Sequence, residues 1–375
     1  MSATTQFQSR FQPILSGDFG PLKLFEHYSC EQSHLFIIGH IYNEKTENLL
    51  PNFLKKGNDS FKALDGDFLL IIVANKKVYF LKDRHGTGKQ LFYSNDFFTS
   101  QLIDFTSLNG FECKPDLEAL FTFLSIGYIP SPQTSLQGVK KLPGGHLLVY
   151  ENNSVKTTDL FDYNDYSSSF GTKLTIEEAT QKYEYLHKQS IENRIQGAKK
   201  VGLLLSGGYD SGGNISALRD LYGGDVVSYS IGFKDNPWTE LPLARILSEK
   251  YQSKHFEYEI DGSEIMDLPQ IIKALGDPFQ EGGLMLNYSA MRLVKDSEEH
   301  PQIILGGDGN DQHFGTSGKE LAINWKFKKN GIQALQKLFD AVGNISLFEK
   351  DNIFFRSQFH NRKILYIQQS DTFGF

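Results

Sequence analysis

The stretch from Val201 to Ser211, with the sequence VGLLLSGGYDS, constrains the fold more strongly than any other part of the chain. Its apolar start is typical of a strand that is buried on both faces of a sheet. The SGGYDS loop that follows, Ser206–Ser211, leads into a segment that can be helical. A strand, a glycine turn and a helix start together form a socket for anionic oxygens, because the backbone N–H groups and the helix N-terminus attract negative charge.

Asp210 narrows the interpretation of this loop. A carboxylate repels phosphate groups unless a cation lies between them, and Mg2+ is the natural choice. The loop lacks the lysine of a Walker motif. It resembles instead the SGGxDS pyrophosphate loop of the ATP pyrophosphatases, which split ATP into AMP and pyrophosphate. The alternative is an ordinary strand-to-helix turn whose glycines serve only its geometry.

The composition of the whole chain limits the functions that it can have. A length of 375 residues allows two domains of ordinary size. The formal charge of -7 argues against a nucleic-acid partner, which normally selects a basic surface. Cys30 and Cys113 form no CxxC pair, and we expect both to be buried thiols. We find neither a signal-peptide pattern nor a membrane-spanning apolar run, so we expect a cytoplasmic protein with no membrane partner.

The pattern of segments predicts two domains. Residues 1–160 are predicted to be rich in strands, 161–175 form a polar, serine-rich linker, and 176–375 form the second domain. Thr175 and Glu178 have the spacing of a capping box and predict a long helix after the linker. The clearest N-terminal strands, joined in part by an Asn75-Lys76 hairpin turn, are predicted at Leu35–Ile41, Asp67–Ala74 and Lys77–Leu81.

From residue 195 onward, strand-like and helix-like segments alternate, and one predicted helix spans Glu264–Leu275. Such alternation predicts a doubly wound parallel sheet that binds its ligands at the carboxyl ends of the strands. A second glycine-rich run, Gly306–Asp311, directly follows the predicted strand Ile303–Leu305. We therefore expect this run and the SGGYDS loop to meet at the same edge of the sheet.

Two acids of these runs predict a metal site. Asp210 and Asp311 would hold one Mg2+ ion against a triphosphate, although an Asp/Gly-rich turn would also explain the second run. The neighbouring strand ends in Ser230, Ile231 and Gly232, whose backbone is expected to bind an adenine ring. The residues assigned to the nucleotide are Leu204, Ser206, Gly207, Gly208, Asp210, Ser211, Ser230, Ile231, Gly232, Gly306, Gly307 and Asp308.

These motifs, in this order, resemble the synthetase domain of the asparagine synthetase family, which includes β-lactam synthetase and lasso-peptide cyclases. Upstream, Gly39–Asn43, Leu64–Phe68, Asp83–Gly86 and Leu124–His146 resemble the family's glutaminase-like domain. The resemblance implies an α+β glutamine-amidotransferase-like sandwich of the Ntn type, followed by an α/β ATP-pyrophosphatase domain with a doubly wound parallel sheet. It also implies a reaction in which ATP adenylates a carboxylate, pyrophosphate leaves, and an amine displaces AMP.

The N-terminal part departs from this family pattern. Glutamine-hydrolysing members have a cysteine nucleophile directly after the initiator Met, where this sequence has Ser2. The family's Asn-Gly-Glu stretch, which helps to stabilise an oxyanion, is Ile38-Gly39-His40 here, and Ile38 has no hydrogen to donate. We expect an inactive glutaminase-like domain that makes no ammonia; the alternative is that Ser2 acts as the nucleophile after Met1 is removed.

The C-terminal part also departs from the pattern. The sequence continues for a shorter distance after Asp311 than is usual in the family, and the position of the family's catalytic lysine is Gln369. Lys363 is the candidate substitute, unless it is only a solvated surface charge. We therefore consider that a homo-oligomer or a second subunit completes the acceptor side of the site.

Three functions remain open from the sequence. The favoured one is an ATP- and Mg2+-dependent ligase or cyclase, acting in a specialised or natural-product pathway. It would join the carboxylate of a small molecule or peptide to an amine that does not come from glutamine. The second is a nucleotide-binding pseudoenzyme or scaffold subunit, and the weakest is asparagine synthetase itself. The two acids Asp210 and Asp311 favour the ligase, because a scaffold has less need of metal ligands.

Overall fold

The computed structural model describes residues 25–307, apart from residues 31, 96, 162–173, 236–238 and 282, and of residues 25 and 26 it describes only the backbone. As far as Gly306 these residues belong to one compact unit, Met1–Gly306. Most of the predicted linker lies outside the described residues, so the domain boundaries stay a prediction.

The N-terminal half of the described residues consists mainly of strands, and the C-terminal half consists of strand–helix repeats. The strands are β1 Phe25–Cys30, β2 Ser33–Ile41, β3 Gly66–Ala74, β4 Lys77–Lys82, β5 Phe92–Tyr93, β6 Phe98–Thr99, β7 Lys140–Lys141, β8 His146–Glu151, β9 Ser154–Asp159, β10 Lys200–Leu204, β11 Asp225–Phe233, β12 Lys254–Ile260 and β13 Ile303–Leu305. The α-helices are α1 Thr46–Lys56, α2 Leu117–Ile126, α3 Ile176–Ile195, α4 Tyr209–Leu221, α5 Leu241–Lys250, α6 Leu268–Leu275 and α7 Leu284–Asp296, with short 3-10 helices at Gly57–Phe61, Leu102–Ser107 and Ser263–Asp267.

The N-terminal half is built on an antiparallel sheet with the strand order β1-β2-β3-β4-β8-β9. Its β3–β4 hairpin turns at Asn75 and Lys76, both with positive φ, which confirms the predicted turn. One face of the sheet packs on a small second sheet, β6-β5-β7, and the other face packs on α1. The layers are therefore a helix and two sheets, as in an α+β sandwich.

The outermost strands of this sheet, β1 and β9, were not among the predicted strands. The sequence of β9, SVKTTD, is mostly exposed and polar, so it lacks the apolar alternation that identifies a half-buried strand. Polar edge strands of this kind are common because they discourage pairing with other sheets. The buried strands β2, β3 and β4 agree with the prediction to within two residues.

The C-terminal half has a parallel sheet with the strand order β12-β11-β10-β13. Val201 and Leu203 of β10 face helices α3, α4 and α5, whereas Leu204 belongs to the core on the α7 side. Both faces are covered, as predicted for a doubly wound sheet. The predicted capping box is confirmed: Thr175 accepts a hydrogen bond from the Glu178 N–H, and the Glu178 carboxylate accepts one from the Thr175 N–H.

Two predictions, one in each half of the chain, were wrong. The single helix predicted over Glu264–Leu275 is a 3-10 turn followed by α6; Pro269 has no N–H to donate and lies in the first turn of α6, where no intrahelical partner is required. The cysteines are not buried, since Cys30 is partly exposed and Cys113 is exposed. In the part of the chain that the structure describes, no helix is both long and apolar enough to cross a membrane.

A clasp of polar contacts joins the two halves. The ammonium group of Lys141, beside the N-terminal sheet, lies 2.8 Å from the Asp277 carboxylate, and their side chains are 14% and 10% exposed. The same carboxylate accepts a 2.9 Å hydrogen bond from the Ser135 N–H. Close by, the Gln280 N–H donates to the Gly127 carbonyl. The segment between α6 and α7 is thus held by groups of the N-terminal half.

Candidate nucleotide-binding site

The predicted site lies at the carboxyl edge of the parallel sheet. β10 lies between β11 and β13: the strand order runs from β10 through β11 to β12 on one side and then reverses to β13 on the other side of β10. Such a switch point is where open α/β sheets bind their ligands. The SGGYDS loop follows β10 and Gly306 follows β13, so both predicted motifs begin at this gap.

The SGGYDS loop is held in shape by its two serines. The Ser206 N–H donates to Ser211 Oγ at 3.1 Å, the two hydroxyls are 3.0 Å apart, and the Gly208 N–H donates to Ser206 Oγ at 3.2 Å. Ser211 is buried while Ser206 is exposed. Ser211 therefore fixes the loop from inside, and Ser206 is the hydroxyl that can reach a ligand.

The loop also packs tightly against the start of α5, which explains the first glycine. Gly207 has a φ of +89°, a conformation that residues with a side chain seldom adopt. A Cβ at this position would lie 2.9 Å from the Glu240 carbonyl oxygen and 2.9 Å from Leu243 Cβ. Only glycine fits here without displacing α5, so the geometric reason for a glycine and the predicted role in phosphate binding coexist.

Helix α4 begins at the exposed end of the loop. Gly208 is its N-cap and supplies no side-chain acceptor, so the first N–H groups of α4 have no intrahelical partner and can donate to an anion. Asp210 lies in this first turn and is partly buried. Tyr209, beside it, is 100% exposed. The turn is therefore open to a ligand at the position where a phosphate group is predicted.

The end of β11 was predicted to bind adenine through its backbone. The Ser230 hydroxyl is buried and donates to the Leu205 carbonyl, so it belongs to the fold and not to a ligand. Gly232 is buried, and a Cβ there would clash with Leu241 and with the Thr239 hydroxyl. That hydroxyl is buried and has no hydrogen-bond partner among the described residues, which fits a polar group supplied by a bound molecule. Ile231 lies between Ser230 and Gly232 and is partly exposed.

The metal prediction falls largely outside the described part of the chain. Asp308, Asp311 and Lys363 lie beyond Gly307, so the structure places neither the partner of Asp210 nor the substitute lysine. Within the described ranges there is no cluster of three or more His, Cys, Asp or Glu side chains suited to a metal ion. Asp210 thus stays a predicted ligand of Mg2+.

Two residues that the sequence analysis missed connect the two sides of the gap. Asn214, on α4, donates from Nδ2 to the Gly306 carbonyl oxygen at 2.7 Å. His187, on α3, lies with its Nε2 2.7 Å from Asn214 Oδ1. The position of Asn214, one helical turn after Asp210, was the available signal; nothing in the sequence singles out His187.

The N-terminal half contains Ile38, the residue that the sequence analysis compares with an oxyanion-stabilising asparagine. Ile38 is 3% exposed and packs between the two sheets. Nearby, the Tyr42 hydroxyl donates to the Asp67 carboxylate, and burial, followed by that carboxylate, raises the pKa of Tyr42. The guanidinium group of Arg194, from α3, lies 4.6 Å from the centre of the Tyr42 ring and 3.8 Å from Asp67. These polar groups are therefore engaged with one another.

Family models match both halves of the chain. A model described as asparagine synthase matches residues 182–364, which include the SGGYDS loop and the end of β13. A model described as glutamine amidotransferase domain matches residues 34–161. The chain is an asparagine synthetase-like protein. Its N-terminal half is thus glutamine amidotransferase-like, and its C-terminal half is the ATP-pyrophosphatase-like domain with a parallel sheet.

Individual relatives of this asparagine synthetase-like chain are named asparagine synthetases. It is 26% identical to asparagine synthetase (glutamine-hydrolyzing) 1 of Bacillus subtilis, over 74% of this chain and 44% of that protein. It is 24% identical to a “Probable asparagine synthetase” (glutamine-hydrolyzing) of Acanthamoeba polyphaga mimivirus, over 78% of this chain and 54% of the relative. The chain spans about a third to a half of the length of the curated relatives it matches.

A solved structure also resembles part of the chain. It is the NH3-dependent NAD synthetase from Campylobacter jejuni, with a TM-score of 0.29 and 16% identity, over 52% of this chain and 96% of that one.

Proposed function

We propose that this asparagine synthetase-like chain is an ATP-dependent ligase or cyclase that forms an amide or lactam bond. The observation that carries the proposal is the SGGYDS loop, which opens onto the sheet's switch point at the start of α4. The asparagine synthase family match supports the reaction class. The substrate would be a carboxylate on a small molecule or peptide, with an amine on the same or on a second molecule.

The reaction begins with attack of a carboxylate oxygen on the α-phosphorus of ATP. The new P–O bond forms as the bond to the β-phosphate breaks, and pyrophosphate leaves. The N–H groups at the start of α4 and the Ser206 hydroxyl are placed to stabilise negative charge on that leaving group. The amine then attacks the acyl-adenylate carbonyl and loses a proton to solvent; the acyl C–O bond breaks, and AMP leaves with one oxygen of the former carboxylate.

The predicted Mg2+ would supply positive charge beside the departing phosphates. Asp210 would hold it, together with Asp311, which lies outside the described residues. The first-turn position of Asp210 suits this role, because the carboxylate lies next to the N–H groups that would bind the phosphates. The open first turn of α4 would suit the phosphate end of ATP, and the Thr239 hydroxyl, which has no partner among the described residues, would suit the adenine end.

The amine is proposed to come from a source other than glutamine. In support of this, Ile38 is apolar and lies in the core between the two sheets, where it has no hydrogen to offer a developing oxyanion. The Tyr42 hydroxyl donates to Asp67, and Arg194 lies beside Asp67 and over the Tyr42 ring. These contacts would have to break before Asp67 or Tyr42 could bind a substrate. We infer that the N-terminal half has a structural role.

A second candidate function is glutamine-dependent asparagine synthesis. The names of the Bacillus subtilis and mimivirus relatives favour it, since both are described as glutamine-hydrolyzing asparagine synthetases. It differs from the first proposal in one measurable respect, which is the release of ammonia from glutamine.

The test is pyrophosphate release from ATP and Mg2+ across a panel of amino acids and short peptides. We expect release that depends on a carboxylate and that falls at least about 100-fold in Asp210→Ala, because the metal ligand is lost. Asp220→Ala is the matched control, since Asp220 lies on the same helix but at its far end and pairs with Lys188. Equal rates for Asp210→Ala and the native protein would reject the ligase mechanism.

Two further readings of the same assay separate the alternatives. Ammonia from glutamine, coupled to asparagine formation, would favour the second candidate and reject the structural role of the N-terminal half. ATP or AMP binding without carboxylate-dependent pyrophosphate release would favour a nucleotide-binding scaffold. Addition of ammonium or small amines to an active carboxylate should raise amide formation if the acceptor is a separate molecule.

A further inference from the structure

The contact between Asn214 and Gly306 is the basis of this inference. Asn214 lies on the helix that follows the SGGYDS loop, and Gly306 is the first residue after β13. Their 2.7 Å hydrogen bond joins positions 92 residues apart in sequence and spans the gap at the switch point. The bond therefore fixes one side of the candidate site relative to the other.

The orientation of the Asn214 amide is determined by both of its partners. The Gly306 carbonyl can only accept a hydrogen bond, so Asn214 must direct its NH2 group toward Gly306 and its Oδ1 toward His187. His187 Nε2 must then carry a hydrogen and donate it to Oδ1. This assignment leaves one consistent arrangement for the three groups, in which a histidine on α3 holds an amide on α4.

The surroundings of His187 hold its ring in place. The ring stacks on Tyr183, one helical turn earlier, with centroids 5.5 Å apart and planes 8° from parallel. On the other side, His187 Cε1 is the nearest atom to the point where Gly213 would carry a Cβ, at 3.9 Å. The imidazole therefore lies against the glycine face of α4.

We propose that Asn214, oriented by His187, is a positioning residue for the adenylation reaction. By holding the Gly306 carbonyl it sets the distance between the SGGYDS loop and the chain that leaves β13. The hydrogen bonds of these two side chains in the described part of the chain go to each other and to Gly306, and not to the N–H groups proposed to bind phosphate, so the effect is on the geometry of the gap and not on the nucleotide. The proposal rests on the proposed function, because it assumes that the gap is where the reaction occurs.

The test compares three variants in the full chain. Asn214→Leu removes both hydrogen bonds at similar volume, and His187→Phe keeps the ring stack on Tyr183 but loses the Nε2 donor. Lys188→Met is the matched control, because Lys188 also links α3 to α4, through Asp220, but takes no part in the Asn214 contact. Steady-state kcat and the KM for ATP are measured by pyrophosphate release.

We expect Asn214→Leu to lower kcat by about 10- to 100-fold, as misplacement of a supporting group by about 1 Å can do, with the KM for ATP changed by less than about twofold. His187→Phe should lower kcat by a smaller factor, and Lys188→Met should leave it unchanged. A normal kcat in Asn214→Leu would overturn the proposal, and so would an equal loss in Lys188→Met.

Hydrogen–deuterium exchange distinguishes this failure from a failure of the proposed function. If the native protein releases no pyrophosphate, the proposed function fails and the reaction-positioning role fails with it. The tie itself is then judged by exchange: Asn214→Leu should speed amide exchange in peptides containing Ile303–Gly307 and leave the SGGYDS loop unchanged. Unchanged exchange at Ile303–Gly307 would show that the bond does not hold this segment.

Discussion

Gly39 in the N-terminal sheet and Gly207 in the SGGYDS loop are alike in their backbone but differ in their surroundings. Both have positive φ, +104° and +89°, and both lie where a Cβ would strike neighbouring backbone. Around Gly39, the polar groups bind one another and Ile38 is in the core. After Gly207, the N–H groups of a helix start face outward, next to an exposed Ser206.

Gly39 is therefore explained by packing alone, whereas Gly207 is explained by packing and also lies in the candidate site. In the segment Ile38–Tyr42 the Tyr42 hydroxyl already donates to Asp67, whereas the start of α4 after the SGGYDS loop has N–H groups without an intrahelical partner. Under the proposed function, the motif around Gly39 would remain as a fold element while the SGGYDS loop would still present a binding surface.

The largest expected effect is that of Gly207→Ala. The left-handed φ and the contacts with Glu240 and Leu243 should lower the free energy of unfolding by about 2–5 kcal/mol and displace the loop. We expect binding of a fluorescent ATP analogue to be lost. Gly39→Ala should also destabilise the protein, since its Cβ would lie 2.0 Å from the Asp67 carbonyl oxygen, but its folded fraction should bind ATP normally.

Gly213→Ala is the control for these variants. It lies in α4, just after the SGGYDS loop, the nearest atom to its Cβ position is 3.9 Å away, and alanine favours the helix. Native ATP affinity in Gly207→Ala would contradict the assignment of the loop, and loss of affinity in folded Gly39→Ala would show that the two regions are coupled.

The next effect concerns the clasp between the two halves. Asp277→Ala should lower the free energy of unfolding by about 3–5 kcal/mol, because it leaves Lys141 as a nearly buried charge without its carboxylate. Urea unfolding followed by fluorescence and by circular dichroism should show one transition for the native protein. If the clasp couples the halves, the two probes should diverge in Asp277→Ala; a variant as stable as the native protein would rule this out.

The smallest effect is on the stability of the C-terminal half, which should depend on pH in the acid range. Hydrogen bonds from Lys200 and Lys254 lower the pKa of Glu299 from an ordinary 4.5 to about 2. Since the folded value is the lower one, the stabilising contribution is present above pH 4.5 and is lost as the pH falls through 2. Glu299→Gln should flatten this part of the stability profile, whereas Glu298→Gln, at the exposed neighbour, should not. An unchanged slope in Glu299→Gln would contradict the pairing.

The sequence predicted elements well where burial imposes a clear pattern. β10 and β13 read as apolar segments bounded by turns, and the Thr175–Glu178 capping box is a local signal that needs no tertiary context. The edge strand β9 was missed because an exposed strand has no apolar alternation. The helix predicted at Glu264 was wrong because the effect of Pro269 on its start was overlooked.

The candidate site shows the same division. The SGGYDS loop and the meeting of β10 with β13 follow from motif and topology, which a sequence contains. His187 and Asn214 could not be paired in advance, because their contact depends on how α3 packs on α4. The polar contacts of Asp67 and Tyr42 near Gly39 likewise include Arg194, which comes from the other half of the chain.

The strand order has a consequence for how the protein matures. The gap between β10 and β13 forms only when β13 has paired with β10. The Asn214–Gly306 hydrogen bond across it joins positions 92 residues apart. Closing so long a loop is entropically costly and slows folding. During synthesis the SGGYDS loop leaves the ribosome well before β13, so the gap between the two strands should form late. Under the proposed function, adenylation activity, and not ATP binding, would then report completion of the sheet.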